Sequence, residues 1–237
     1  MIRQKLFTKP TGAFHERGME IKRVEALSDA VFAFSVSLLV ASLEVPQTFE
    51  ELKLIISGAL PFFATVSILF LFWYQQNVFF RHYGLNDRPT IILNLVYLAI
   101  ILFYLYPLKF LFSILLTAWT GLDLFPKATE HGLTVLSAHD FPQLIILFSI
   151  GYICLWLVVY AMHRRAMHVL LSPALNEYEK VYTLKELRGA LLNASIGGFA
   201  LLFALLKWEL IAGLAYLAIP VVLAVNQWVF QKQLRKR

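Results

Sequence analysis

Six long apolar stretches constrain this 237-residue chain more than any other feature. Five of them carry no charged side chain over at least 18 residues: 54–80, 90–108, 141–162, 189–206 and 210–231. The sixth, 24–45, is interrupted only by Glu25, Asp29 and Glu44. About 20 apolar residues in a helix are enough to cross a bilayer, and a helix satisfies its own backbone hydrogen bonds there. The pattern predicts an all-α integral membrane protein with six spans.

Composition agrees with this class of protein. The chain is 59% hydrophobic and 15% charged, whereas soluble domains carry about 25% charged residues. The aromatic content of 15% excludes low-complexity disorder, and the single Cys154 excludes a disulfide-stabilised secreted scaffold. Cys154 lies within a span and is expected to be a packing residue.

The spans divide the chain into three parts. We expect one transmembrane domain, 23–232, with spans at about 24–45, 54–80, 90–116, 141–163, 188–206 and 210–231. The N-terminal arm, 1–22, contains Pro10, Gly12 and Gly18 without sustained periodicity, so we expect it to be mobile or to lie on the surface. A basic tail, 233–237, follows the last span.

Basic residues are distributed unevenly between the two ends of the spans. Of the 21 Lys and Arg residues, 17 fall on one side, in or next to the arm, the second and fourth connections and the tail. Lys53, Lys127 and Lys207 fall on the other side, and Lys109 lies inside the third span. The positive-inside rule predicts that both termini are cytoplasmic. Orientation and lipid contact therefore explain the net charge of +6, and we expect no nucleic-acid partner.

The sequence lacks the motifs of an enzyme. Its six histidines lie in tails, loops or span ends without the paired spacing of metal ligands. A P-loop, a nucleophile elbow and the Thr-Val-Gly-Tyr-Gly potassium filter are also absent. We therefore expect no enzymatic activity, no cofactor and no tightly bound metal.

Asp29 is the exceptional residue of the first span. An ionised side chain costs about 2.5–3.5 kcal/mol at the bilayer centre and less near its surface. We expect Asp29 to face protein or water, although a side chain that reaches the membrane boundary remains an alternative.

The residues around Asp29 form a recognisable signature. Its matching residues are Arg23, Ser28, Asp29, Phe32, Leu38 and Leu39, with Leu27 in place of a Phe and Ser37 in place of a Thr. On these residues the chain resembles a prokaryotic member of the endolysosomal leak potassium channel family, the transmembrane protein 175 (TMEM175) family. Looser matches are Trp73, Asp87, Asn94 and Pro107. Where relatives usually carry His after the Trp, this chain has Gln75, Gln76 and Asn77.

The resemblance implies a homotetramer whose first helices surround one pore. Potassium ions would pass a hydrophobic constriction in place of a carbonyl filter. At 100° per residue, the side chains of Ser37, Leu38 and Ala41 lie within about 60° of Phe34. We therefore expect the pore to be lined by Phe34, Ser37, Leu38 and Ala41.

Asp29 lies at about 220° from Phe34 and is expected to support the helix from behind. Its proposed polar network comprises Arg23, Ser28, Asp29, Asn77 and Asn94, with Arg81 as a further candidate near it.

Two other functions remain open from the sequence. A secondary transporter or proton-coupled carrier would use Asp29, and a membrane-embedded interaction protein would use the basic loops. The preferred hypothesis is a multi-pass potassium-permeable channel of a bacterial plasma membrane, whose partners are potassium ions, the lipid bilayer and further copies of itself.

Overall fold

The computed structural model of the protein describes residues 14–43, 45–125, 134–137, 140–169, 171 and 173–235. Most of the expected N-terminal arm therefore lies outside the described residues. So do Lys127 and the end of the basic tail, 236–237.

The described chain is helical throughout its membrane domain, as expected. Its α-helices are α1 (Arg23–Ala41), α2 (Phe49–Ser57), α3 (Ala59–Tyr83), α4 (Arg88–Thr120), α5 (Asp140–His168), α6 (Glu177–Leu205), α7 (Glu209–Leu214) and α8 (Ile219–Arg235). A short 3-10 turn, Ala215–Ala218, joins α7 to α8. Six segments are long and apolar enough to cross a membrane: α1, α3, α4, α5, α6 and the combined segment Leu210–Arg235. The prediction of six candidate spans is confirmed.

The ends of the helices differ from the ends of the apolar stretches. The second span begins at Ala59, because the residues before Gly58 form the separate helix α2. Helix α6 begins at Glu177, about three turns before the expected start at 188. Asn176 caps it: the Asn176 side chain accepts from the Glu179 N–H at 2.8 Å, and the Glu179 side chain accepts from the Asn176 N–H at 2.9 Å. Charged residues end an apolar stretch but can continue a helix into water.

The helices pack as two connected groups. Helix α1 packs on α3 and α4, whereas α5 and α6 form the most extensive helix pair. Helix α4 joins the groups through a close approach to α5. There the Tyr104 hydroxyl donates to the Phe148 carbonyl at 2.7 Å and accepts from the Gly151 N–H at 2.8 Å. A Cβ atom at Gly151 would lie 1.7 Å from the Tyr104 ring, so this contact requires glycine.

Residues 14–22, here called the N-terminal strap, lie across the end of the bundle where α1 and α4 begin. We call this the basic end. The Arg17 side chain forms an ion pair with Glu179 at 2.7 Å, and the two side chains are only 4% and 0% exposed. The N–H groups of Arg17 and Gly18 both donate to the Arg81 carbonyl at 3.0 Å. The Phe14 ring is buried. The strap thus lies on the surface of the bundle end and is anchored there by a buried ring and a buried ion pair.

Loss of one partner of the Arg17–Glu179 pair should destabilise the subunit strongly. Glu179→Gln keeps a side chain that can cap α6 but leaves the Arg17 charge buried without its counter-charge. We expect the free energy of unfolding in detergent to fall by about 3–5 kcal/mol. Lys180→Gln is the matched control, because the Lys180–Glu177 pair is exposed and such pairs contribute about 1 kcal/mol or less. Equal effects of the two substitutions would contradict the importance of the buried pair.

Candidate functional site

Helix α1 has two faces of different character. Its buried residues are Val24, Glu25, Ser28, Phe32, Ser35 and Leu39. The opposite face is uncovered in the single chain and carries mainly small side chains: Ala26, Ala30, Ala33, Ser37 and Ala41, with the larger Leu27, Phe34 and Val40 among them. Other spans expose mostly large apolar residues, for example Phe63, Phe70 and Leu71 on α3. Small residues are typical of helix faces that approach other protein segments closely, which distinguishes this face from a lipid-covered one.

The four expected pore-lining residues do not all lie on the uncovered face. Phe34 is 58% exposed, and Ser37 and Ala41 are also exposed. Leu38 is half-buried and packs against the core that includes Phe32 and Leu39. The Ser37 hydroxyl donates to the Ala33 carbonyl at 3.1 Å. Phe34, Ser37 and Ala41 thus share one surface, with Leu38 at its margin.

A buried chain of hydrogen bonds lies behind α1. The Gln76 amide donates to the Asn94 side-chain oxygen at 2.9 Å, and the Asn94 amide donates to the Ser28 hydroxyl at 2.9 Å. The Ser28 hydroxyl donates in turn to the Val24 carbonyl at 2.8 Å. Gln76, Asn94 and Ser28 are at most 5% exposed. The chain connects α3, α4 and α1, and each interhelical bond in a membrane contributes about 0.6 kcal/mol on average.

Asp29 has a different partner from those expected. Its carboxylate accepts from the Trp73 indole N–H at 2.7 Å, and the residue lies exposed at the margin of the uncovered face. The placement of Asp29 directly behind the helix is therefore wrong. The buried face is centred about 130° from Phe34, which leaves Asp29 about 90° from its centre.

The other expected members of the polar network do not take part in the hydrogen-bonded chain behind α1. Arg23 is exposed at the first residue of α1, and Arg81 pairs with Glu16 of the strap at 3.1 Å. Asn77 is half-buried and lies outside the hydrogen-bonded chain. Its neighbour Gln76 makes the bond to Asn94 instead. The sequence contained a signal for Gln76, because Leu69, Trp73, Gln76 and Phe80 recur at the three- and four-residue spacing of one helix face.

Asp87 fixes the start of α4 at the basic end. Its carboxylate accepts from the Thr90 hydroxyl at 2.6 Å and from the Arg165 guanidinium of α5 at 2.7 Å. Partial burial by itself would raise the pKa of Asp87, but the bonds from Thr90 and Arg165 outweigh it and hold the pKa below its usual value. Asp87 thus remains a charged link between α4 and α5.

The described residues also lack a cluster of side chains suited to binding a metal ion. They contain no group of three or more His, Cys, Asp or Glu residues placed to hold a metal ion. The arrangement is that of a helix with one small-residue face, held in position from its other side by polar groups of two neighbours.

The chain is similar to known proteins. The family described as "Endosomal/lysosomal potassium channel TMEM175" matches residues 23–104, which contain α1, α3 and the hydrogen-bonded chain between them. A protein of Marivirga tractuosa described as "Potassium channel" is 31% identical over 229 residues, covering 94% of this chain and 93% of the relative. The chain belongs to the TMEM175 potassium channel family. The resemblance based on the first span is therefore confirmed.

A solved structure extends the similarity to the whole fold. The crystal structure of a variant of the potassium channel MtTMEM175, in complex with a nanobody–MBP fusion, has a TM-score of 0.81 and 31% identity to this chain. The similarity covers 94% of this chain and 98% of the other. Membership of a channel family also confirms that this protein is not an enzyme.

The Asp29–Trp73 hydrogen bond should contribute to stability more than to ion selectivity. Asp29→Ala leaves the Trp73 N–H without its acceptor, and we expect the free energy of unfolding to fall by about 1.5–3 kcal/mol. Asp29→Asn should cost less, because the amide oxygen still accepts. Trp73→Phe should reproduce most of the loss, and the double variant Asp29→Ala/Trp73→Phe should be less destabilised than the sum. Normal assembly of Asp29→Ala with altered permeation would place Asp29 in the ion path.

Proposed function

We propose that four copies of this chain form a potassium-permeable channel with α1 lining a central pore. The observation that carries the proposal is the uncovered small-residue face of α1. One helix face cannot enclose a pore, so the α1 face of each subunit must meet the same face of other copies around an axis. The "Potassium channel" relative, similar along nearly the whole chain, supports potassium as the permeant ion.

The orientation follows from the basic residues. Arg17, Arg81, Arg88 and Arg165 all lie at the basic end of the bundle, where the positive-inside rule places the cytoplasm. Both termini are then cytoplasmic, and the turn between α6 and α7 faces outside. The Marivirga relative supports a bacterial plasma membrane as the location.

The constriction is apolar in this proposal. Successive turns of α1, about 5.4 Å apart, present Phe34, then the marginal Leu38, then Ala41. In a four-fold assembly they form successive rings, and the Phe34 ring is the bulkiest. A narrow apolar ring excludes ions by excluding water until it widens. Conduction is then controlled by the width and wetting of the Phe34 ring.

Ser37 is the polar group nearest to this constriction. Its hydroxyl proton is directed at the Ala33 carbonyl, so the oxygen lone pairs remain available to a cation. In the proposed pore, four Ser37 oxygens replace part of the hydration shell of a potassium ion. Selectivity then depends on Ser37, and closure depends on Phe34.

A carrier that uses Asp29 is the alternative function. The 3-10 turn between α7 and α8 interrupts the sixth span, as discontinuous helices do in transporters. However, α1 packs on α3 and α4, and the carboxylate of Asp29 is engaged by α3. Recordings from purified protein in liposomes separate the two functions, because a channel produces unitary current steps and a carrier produces slow, saturable flux.

The proposed pore requires four subunits. Native mass spectrometry of the protein in mild detergent should give a mass four times that of the 27.2 kDa chain. The same preparation should conduct potassium after reconstitution. A stable monomer that still conducts would contradict the proposal, since one α1 face cannot surround an ion.

Substitution of Phe34 should open the constriction. Phe34→Ala removes about 100 Å² or more of apolar surface from each subunit at the axis. We expect larger basal currents and weaker discrimination of potassium from sodium, measured as a shift of the reversal potential. Phe34→Asn should also raise basal current by wetting the ring, and Ser37→Ala should lower selectivity while currents remain measurable.

Phe63→Ala is the matched control for Phe34→Ala. Phe63 lies on α3 and is 62% exposed, close to the value for Phe34. Its removal should leave basal current and reversal potential unchanged. Unchanged currents in both Phe34 variants would mean that the gate lies on another face or another helix.

A further inference from the structure

Lys109 lies level with the end of α1 that is remote from the basic end. Helices α1 and α4 both start at the basic end, and a helix rises 1.5 Å per residue. Ser42 is therefore about 29 Å from the start of α1, and Lys109 is about 32 Å from the start of α4. The hydrocarbon core of a bilayer is about 30 Å thick, so a core that begins where α1 and α4 begin ends level with both residues.

The Lys109 ammonium group contacts the end of α1 directly. It donates to the Ser42 hydroxyl oxygen at 2.6 Å, while that hydroxyl donates to the Leu39 carbonyl at 2.7 Å. The last turn of α1 contains no basic residue of its own. The carbonyl end of a helix carries a partial negative charge that attracts cations. Lys109 supplies this cation from the neighbouring helix.

We infer that Lys109 forms an electrostatic barrier to potassium entry at the outer mouth of the pore. This inference rests on the proposed function, because it requires α1 to line a four-fold pore. Ser42 directly follows Ala41, so the ammonium group is within about one turn of a pore-lining position. Four subunits place four positive charges around the mouth through which potassium enters from outside.

The size of the barrier follows from Coulomb's law. A group at the end of the lining helix lies about one helix diameter, roughly 10 Å, from the axis. Four such charges, screened over about 10 Å at 0.1 M salt, lower the potassium concentration at the mouth about threefold. At 1 M salt the screening distance is about 3 Å, and the reduction is only about 1.1-fold.

Other described charges at this end of the bundle differ from Lys109 in their environment. Asp123 accepts from the Phe125 N–H at 2.8 Å, and Asp140 accepts from the Ser137 hydroxyl at 2.6 Å, both in or next to the connection between α4 and α5. Glu50 and Lys53 on α2 form an exposed pair at 2.8 Å, and Glu51 accepts from the Gln47 N–H at 2.6 Å. Lys207 lies in the turn between α6 and α7. Among these groups, Lys109 is the one hydrogen-bonded to the cap of α1.

The test is the unitary conductance of Lys109→Gln in planar bilayers at 0.1 M and 1 M potassium chloride. At 0.1 M, inward current should rise about threefold with a smaller change in outward current. At 1 M, the two proteins should differ by about 1.1-fold. Lys109→Arg keeps the charge and should restore the original conductance.

Two controls separate charge from packing. Ser42→Ala removes the hydrogen-bond acceptor but keeps the ammonium group, so inward current should stay near its original value. Lys207→Gln removes the same charge from the same end of the bundle, away from α1, and should change the current little. If Ser42→Ala reproduces Lys109→Gln, or if the effect of Lys109→Gln is the same at both salt concentrations, Lys109 acts through packing and the inference is wrong.

A labelling experiment keeps the test independent of folding. Lys109→Cys in a Cys154→Ser background is assembled first and then treated from outside with a positively or negatively charged methanethiosulfonate. The negative label should increase inward current relative to the positive label. Equal currents with both labels would overturn the inference, while altered gating in the Phe34 variants would show that the proposed pore itself still holds.

Discussion

Inside a bilayer, a buried hydroxyl or amide has no water to bond, so a polar group without a partner in the protein is costly. On α1 this constraint applies to Ser28, whose hydroxyl accepts from the buried Asn94 amide. A rotation of α1 by one residue position, about 100°, would separate the two groups. In the direction that brings Phe34 to the buried position of Ser35, the same rotation would move Phe34 off the uncovered face. The residues that α1 presents away from its neighbours are therefore determined by the hydrogen bond on its opposite side.

Helix α4 positions α1 along much of its length. Asn94 bonds the first half of α1, and Lys109, 15 residues further along α4, bonds its final cap. Below them, the Lys22 ammonium group donates to the Gly84 carbonyl at the end of α3. Asp87 links the start of α4 to α5. The rotation of α1 and the positions of its two ends are thus set by separate contacts. Helix α4 contributes two of these contacts, through Asn94 and Lys109.

The number of spans could be predicted because the bilayer sets the length of an apolar helix, and this requirement is visible along a single stretch of sequence. The helix ends could not be predicted in this way. Helix α6, for example, begins after a cap at Asn176 and passes through several charged residues before it reaches the apolar stretch. The face containing Phe34 and Ala41 followed from helical spacing. The choice of Asn77 over Gln76 failed although the spacing of Leu69, Trp73, Gln76 and Phe80 marks one face of α3, because Asn77 lies about 100° away from that face. The strap was missed because the partner of Arg17 lies 162 residues further along the chain.

That long separation has a consequence for biosynthesis. Chains emerge from the ribosome with the N-terminus first, so α1 is made before any of its partners. Trp73 and Asn94 become available to it only after the second and third spans have been made, and Glu179 appears later still. The Arg17–Glu179 ion pair can therefore form only when the start of α6 has been synthesised. A subunit with its strap closed is one in which at least four spans have already been made, so the ion pair marks a late stage of subunit maturation.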